Sequence, residues 1–182
     1  MTDPAEHADP PDDTFGHLDH LDGRSALRFE RLLRHPQDVV WRALTEPDQL
    51  AAWFPTTIDG ERRAGAPLLF RFPEEQPFEP FEGELLVFDP PHRLALRWGT
   101  DELRLELTPT PDGGTRLVLV DLLDEHGKAA RDAAGWHACL AALGRHLAGR
   151  PDRSVLTTGW ERVHARYVKE FGPEAATIGP PS

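Results

Sequence analysis

The stretch from Pro36 to Pro55, PQDVVWRALTEPDQLAAWFP, constrains this chain more than any other. It predicts two short helices in tandem, each opened by a proline, whose fixed φ and missing N–H suit only the first turn of a helix. Val40, Trp41 and Leu44 make the apolar face of the first helix, and Leu50, Trp53 and Phe54 that of the second. Thr45 and Asp48 between them have the spacing of a capping box for the second helix. A strand pattern precedes the pair and a run of short strand patterns follows it.

The first strand is expected over Ser25–Arg34, with Leu27, Phe29 and Leu33 on one face. After the loop Gly60–Gly65 come Leu68–Phe72, Phe81–Phe88, Arg93–Trp98, Glu102–Thr108 and Thr115–Leu122. Glu102–Thr108 alternates most cleanly, setting Leu103, Leu105 and Leu107 against Glu102, Arg104 and Glu106. Pro111-Asp112-Gly113-Gly114 marks a hairpin. Short connections make this an antiparallel meander with one wet face. A long helix follows from about Lys128 to Ala148, striped by Trp136, Leu140, Leu143 and Leu147 and slimmed by Ala129, Ala130, Ala133 and Ala134. The apolar stripe and the apolar sheet face must bury each other. A helical pair interrupting an otherwise β chain thus points to an α+β helix-grip fold. Its antiparallel sheet of six or seven strands wraps the long C-terminal helix and encloses a cavity.

Segments VWRALTEPDQLAAWF, DPPHRLALRW and GGTRLVLV, with Gly135-Trp136 in the late helix, resemble the SRPBCC or START-like superfamily. Within it they are similar to homologues of the activator of the heat-shock protein 90 ATPase. The resemblance covers about residues 25–149. It implies a deep pocket between curved sheet and last helix, usually for a hydrophobic small molecule, and no fixed set of catalytic residues. The expected organisation is a disordered acidic leader at 1–23, a START-like domain at 24–150, an additional C-terminal helix within 151–172 and a tail at 173–182. That added helix, Leu156–Phe171, carries an apolar face that must dock on the same chain, a protein partner or a second copy.

The expected pocket lining is Trp53, Phe70, Phe72, Leu85, Leu96, Trp98, Leu105, Leu119, Trp136 and Leu140, joined by Asp121. A tryptophan there offers large apolar area and an N–H, and serves equally as core or pocket wall. Asp121 points inward on the parity that buries Leu117 and Leu119. It orients a ligand or acts as a general base, or it caps the loop Leu122–Gly127; a position near the strand's end, where alternation fails, favours the cap.

Composition narrows the function. The formal charge of −11 disfavours nucleic acid and anionic membranes, although residues 1–23 hold seven acids with no Lys or Arg. The remainder is only mildly acidic, with 24 acids against 20 bases. No apolar run approaches a membrane span and no signal-peptide pattern opens the chain, so a cytoplasmic location is expected. A single Cys139 excludes an internal disulfide and a cysteine zinc cage. Of nine histidines, His137 and His146 fall on opposite sides of one helix, and the default is solvated surface histidine with no metal. Catalytic signatures of nucleophile elbows, phosphate loops or zinc helices are absent, and no cofactor is implied. The expected function is non-enzymatic binding of a hydrophobic or amphipathic small molecule in a deep internal pocket. The alternatives are a chaperone-ATPase-activator-like interaction module and a polyketide-cyclase-like enzyme using Asp121.

Overall fold

Two runs of the chain, residues 14–76 and 78–180, are described by the computed structural model. Their strands are β1 (His17–Leu21), β2 (Arg24–Leu33), β3 (Thr57–Asp59), β4 (Pro67–Arg71), β5 (Phe81–Asp89), β6 (Arg93–Trp98), β7 (Asp101–Pro109) and β8 (Thr115–Leu122). They form one antiparallel sheet in the order β1-β2-β8-β7-β6-β5-β4-β3. The helices are α1 (Gln37–Thr45), α2 (Pro47–Leu50), α3 (Ala129–Leu147) and α4 (Trp160–Phe171). The expected α+β helix-grip architecture is the one observed.

Sheet and long helix meet as their patterns require. Leu103, Leu105 and Leu107 of β7 are buried, and so are Ala129, Ala130, Ala133, Ala134, Trp136, Leu140 and Leu143 of α3. The alanines keep the helix slim where it lies against the sheet. Each fully buried leucine contributes about 1.5–3 kcal/mol. β8 departs from the expectation of one wet face. Its outer residues Val118, Val120 and Leu122 join Ala26 in a second, smaller apolar cluster. On that same face Arg116 holds Glu30 through two bonds of 2.6 Å, and Arg104 holds Glu102 at 2.7 Å.

Both prolines stand where helices begin, Pro36 as the N-cap of α1 and Pro47 at the start of α2. The capping box does not form. Thr45 Oγ1 instead donates to the Trp41 carbonyl at 2.8 Å, since Thr45 lies buried in the last turn of α1. α2 stops at Leu50, yet Trp53 and Phe54 remain buried. Trp53 Nε1 donates to the Ala43 carbonyl at 2.8 Å, satisfying a buried N–H and tying the turn to α1. A register shift between Leu85 and Val87 reverses the parity of β5. Val87 therefore turns outward, and Phe88 packs on Trp41 at 5.5 Å.

Two strands, β1 and β3, lie outside the six expected ranges, and β1 comes from the expected leader. Residues 1–13 lie outside the described residues, but His17–Leu21 pair with Arg24–Arg28 across a turn at Asp22-Gly23, whose φ values are 54° and 75°. An Asp-Gly turn with both φ positive is a hairpin device, and backbone pairing tolerates the charged side chains that made this segment read as disordered. Just upstream, Phe15 packs on His137 at 4.7 Å and on Tyr167 at 5.2 Å. The Gly16 N–H donates to the Tyr167 hydroxyl at 2.8 Å. His137 is thus buried rather than solvated. Tyr167 belongs to α4, which docks on this same chain, with Trp160, Val163, Val168 and Phe171 packed against the main core. The helix starts later than expected, after Gly159 at φ 77°, and Leu156 falls in a preceding 3-10 turn, Arg153–Leu156.

Tyr167 therefore clamps the N-terminal segment to α4. Tyr167→Phe leaves the buried Gly16 N–H without its acceptor and should cost about 1–3 kcal/mol of stability in a urea titration. A variant as stable as the parent would show that this contact does not hold the segment.

Candidate functional site

A cavity of about 670 Å³ opens where α3, the end of β6 and the C-terminal segment meet. One face of α3 supplies Arg131, Asp132, Gly135, Trp136 and Cys139, whose spacing of four and one stacks them along a single stripe. Trp98 closes β6 at the cavity. Opposite stand Leu156, Thr157, Trp160 and Glu161, while Glu75, Gln76 and Phe78 border it from the β4–β5 connection. Pro55 and Pro180 complete the lining. A Cβ built on Gly135 would meet nothing within 4 Å, so the helix leaves open space at that point.

Of the residues expected at a pocket, Trp98 and Trp136 line this one. Trp53, Phe70, Leu85, Leu96, Leu105, Leu119 and Leu140 belong to the packed core beneath it. Phe72 packs on Phe78 at 5.0 Å. Aromatic contacts connect the two regions: Phe70 and Phe81 sit 4.8 and 4.7 Å from Trp98, which sits 5.7 Å from Trp136. Gly83 makes room for Phe70, since a Cβ there would come within 2.5 Å of its ring. Phe78, Arg131, Asp132, Cys139 and Trp160 were not anticipated as lining. Trp160 carried a signal, the apolar face of α4, but nothing in the sequence says which surface that face meets.

Asp121 lies within β8, paired with Leu27 and Leu103, and is 1% exposed. It does not cap the loop after the strand. Asp101 takes that role, its Oδ1 accepting the Asp124 N–H at 2.8 Å. Asp121 Oδ2 accepts from Trp136 Nε1 at 2.7 Å, and Oδ1 has no hydrogen-bond partner. Burial, reinforced by the negative charge of Asp101, pushes the Asp121 carboxyl well above its usual range. Carboxylate oxygens of Asp101, Asp121 and Asp132 lie within 4.8 Å of one another, a grouping of hard oxygens of the kind that binds divalent cations. Protein cations already serve two of the three. Lys128 Nζ sits 2.8 Å from Asp101 Oδ2 and also bonds Asp124, and Arg131 Nε holds Asp132 Oδ1 at 2.6 Å. Burial alone would raise Asp124, but hydrogen bonds from Lys128 and Thr100 bring it down to about 2. Burial pushes the Cys139 thiol up to about 12, so this lining residue stays protonated and is a poor nucleophile.

The raised Asp121 carboxyl fixes a direction for stability against pH. Below about pH 4 both folded and unfolded chains hold this proton, and it has no effect. Above that the unfolded chain ionises first, so the contribution becomes destabilising as pH rises towards the folded value. Asp121→Asn keeps an acceptor for the Trp136 N–H and removes the ionisation. Denaturation followed from about pH 4 to 8 should show a flatter decline for the variant, with stability at neutral pH equal to or above that of the parent. An unchanged slope would mean that Asp121 ionises as a solvated acid does.

The fold recurs in solved structures. A protein from Bordetella parapertussis is 31% identical, with 92% of this chain and 94% of that one covered and a TM-score of 0.65. A conserved protein of unknown function from Enterococcus faecalis has a TM-score of 0.72 at 20% identity, covering 86% of this chain and 90% of that one. DynU16, from the dynemicin biosynthetic locus, is 27% identical, with a TM-score of 0.61 over 69% of this chain and 48% of that one. No curated protein matches the chain. Among the described residues no helix is long and apolar enough to cross a membrane. Residues 34–148, well over half the sequence, match the family described as Activator of Hsp90 ATPase homolog 1-like protein, and the chain belongs to that family.

Proposed function

We propose that this protein binds a hydrophobic or amphipathic small molecule, without transforming it, in the cavity beside Trp98 and Trp136. The observation that carries the reading is the open stripe of α3 at Gly135, faced by Trp98, Trp136, Phe78 and Trp160. A mid-helix glycine costs roughly 0.5–1 kcal/mol relative to alanine, and here it leaves space that any larger side chain would occupy. A ligand burying about 300 Å² of apolar surface gains roughly 7 kcal/mol gross, which association and ordering reduce to micromolar binding or weaker. The likeness to a protein from a biosynthetic locus agrees with a small-molecule ligand.

Asp121 favours binding over catalysis. Its carboxyl is held by the indole of Trp136, which stands between it and the cavity, so it orients that wall instead of exchanging protons with a ligand. The interaction-module reading draws on the family description alone.

Gly135→Ala should leave binding in place and stabilise the protein by about 0.5–1 kcal/mol. Gly135→Phe should melt near the parent, because its ring enters open space, and should abolish the ligand-induced change in tryptophan fluorescence. A Gly135→Phe variant that binds as the parent does would remove the cavity as the site.

A further inference from the structure

We infer that the cavity selects amphipathic ligands bearing a positive charge, arylalkylamines in class, with the ammonium beside Glu161 and the apolar part among Trp98, Trp136 and Trp160. This rests on the binding reading above and narrows it. The lining contains three carboxylates, Glu75, Asp132 and Glu161, against one guanidinium, Arg131. That guanidinium pairs with Asp132 Oδ1 at 2.6 Å, so the two charges offset and Glu75 and Glu161 leave the lining net negative. Three tryptophans and Phe78 share the same walls, and the negative faces of aromatic rings attract cations, tryptophan most strongly.

Behind the wall, Lys128 is already occupied by Asp101 and Asp124. Arg153 lies near Cys139, but its guanidinium donates to the Ala51 and Phe54 carbonyls. Trp160 and Glu161 lie outside the family match at 34–148, in the C-terminal helix.

Three probes that share one apolar body and differ only in the head separate charge from burial: phenylbutylamine, phenylbutanol and phenylbutyrate. Titrated into the full chain and followed by tryptophan fluorescence and calorimetry, the amine should bind about tenfold more tightly than the alcohol, and the carboxylate most weakly. Added salt should shrink the amine's advantage without changing alcohol binding. Glu161→Gln, at an exposed position of the first turn of α4, should weaken the amine about threefold and leave the alcohol unaffected. Equal affinity of amine and alcohol, or tightest binding of the carboxylate, would overturn the charge preference and leave the binding site standing. Binding of none of the three, with the parent behaving as Gly135→Phe does, would overturn the binding reading and this inference with it.

Discussion

One buried hydrogen bond, from Trp136 Nε1 to Asp121 Oδ2, fixes how the long helix lies on the sheet. The apolar stripe of α3 would accept small rotations or slides over the inner face, because dispersion and burial are not directional. An indole N–H and a carboxyl that both lie out of water have no such freedom. Separating them would leave two buried polar groups unpaired at about 1–3 kcal/mol each. Once this bond sets the rotation of α3, Ala129, Ala130, Ala133 and Ala134 face the core, and the stripe through Arg131, Gly135 and Cys139 faces the cavity.

The polar groups around this bond form a graded layer between core and cavity. At the sheet end, Lys128 bridges Asp101 and Asp124 where β8 hands over to α3. Towards the cavity, Arg131 and Asp132 pair on the first turn of the helix. Asp121 sits between them as a buried acid with one satisfied oxygen. Such a layer costs desolvation, and it ties the strand end, the connecting loop and the helix start into one arrangement that a purely apolar contact would leave degenerate.

The C-terminal helix links stability with the site. Tyr167 at its centre closes on Phe15, Gly16 and His137, joining the N-terminal segment to the middle of α3. Its first turn, with the preceding 3-10 segment, forms the cavity wall opposite α3. The family match runs from α1 through β8 to the end of the long helix, and the wall built by residues 156–161 lies beyond it.

Local chemistry alone determined much of this protein. The alternation of Glu102–Thr108 placed three leucines inward, the two prolines opened α1 and α2, and the stripe from Trp136 marked the buried face of α3. The inward direction of Asp121 was legible by parity. The prolines act through a fixed φ and the others through periods of two or 3.6 residues, all operating within a few residues of chain. Tertiary structure decided the rest. β1 depends on a partner strand, and the bulge at Leu85–Val87 depends on its pairing with β6. The described cavity lies at the junction of α3 with the C-terminal wall, while Leu105, Leu119 and Leu140 belong to the core cluster. Asp121 found its partner in Trp136, 15 residues away along the chain. Such choices rest on contacts between segments distant in sequence, and a local hydrophobic period carries no information about which distant segment arrives.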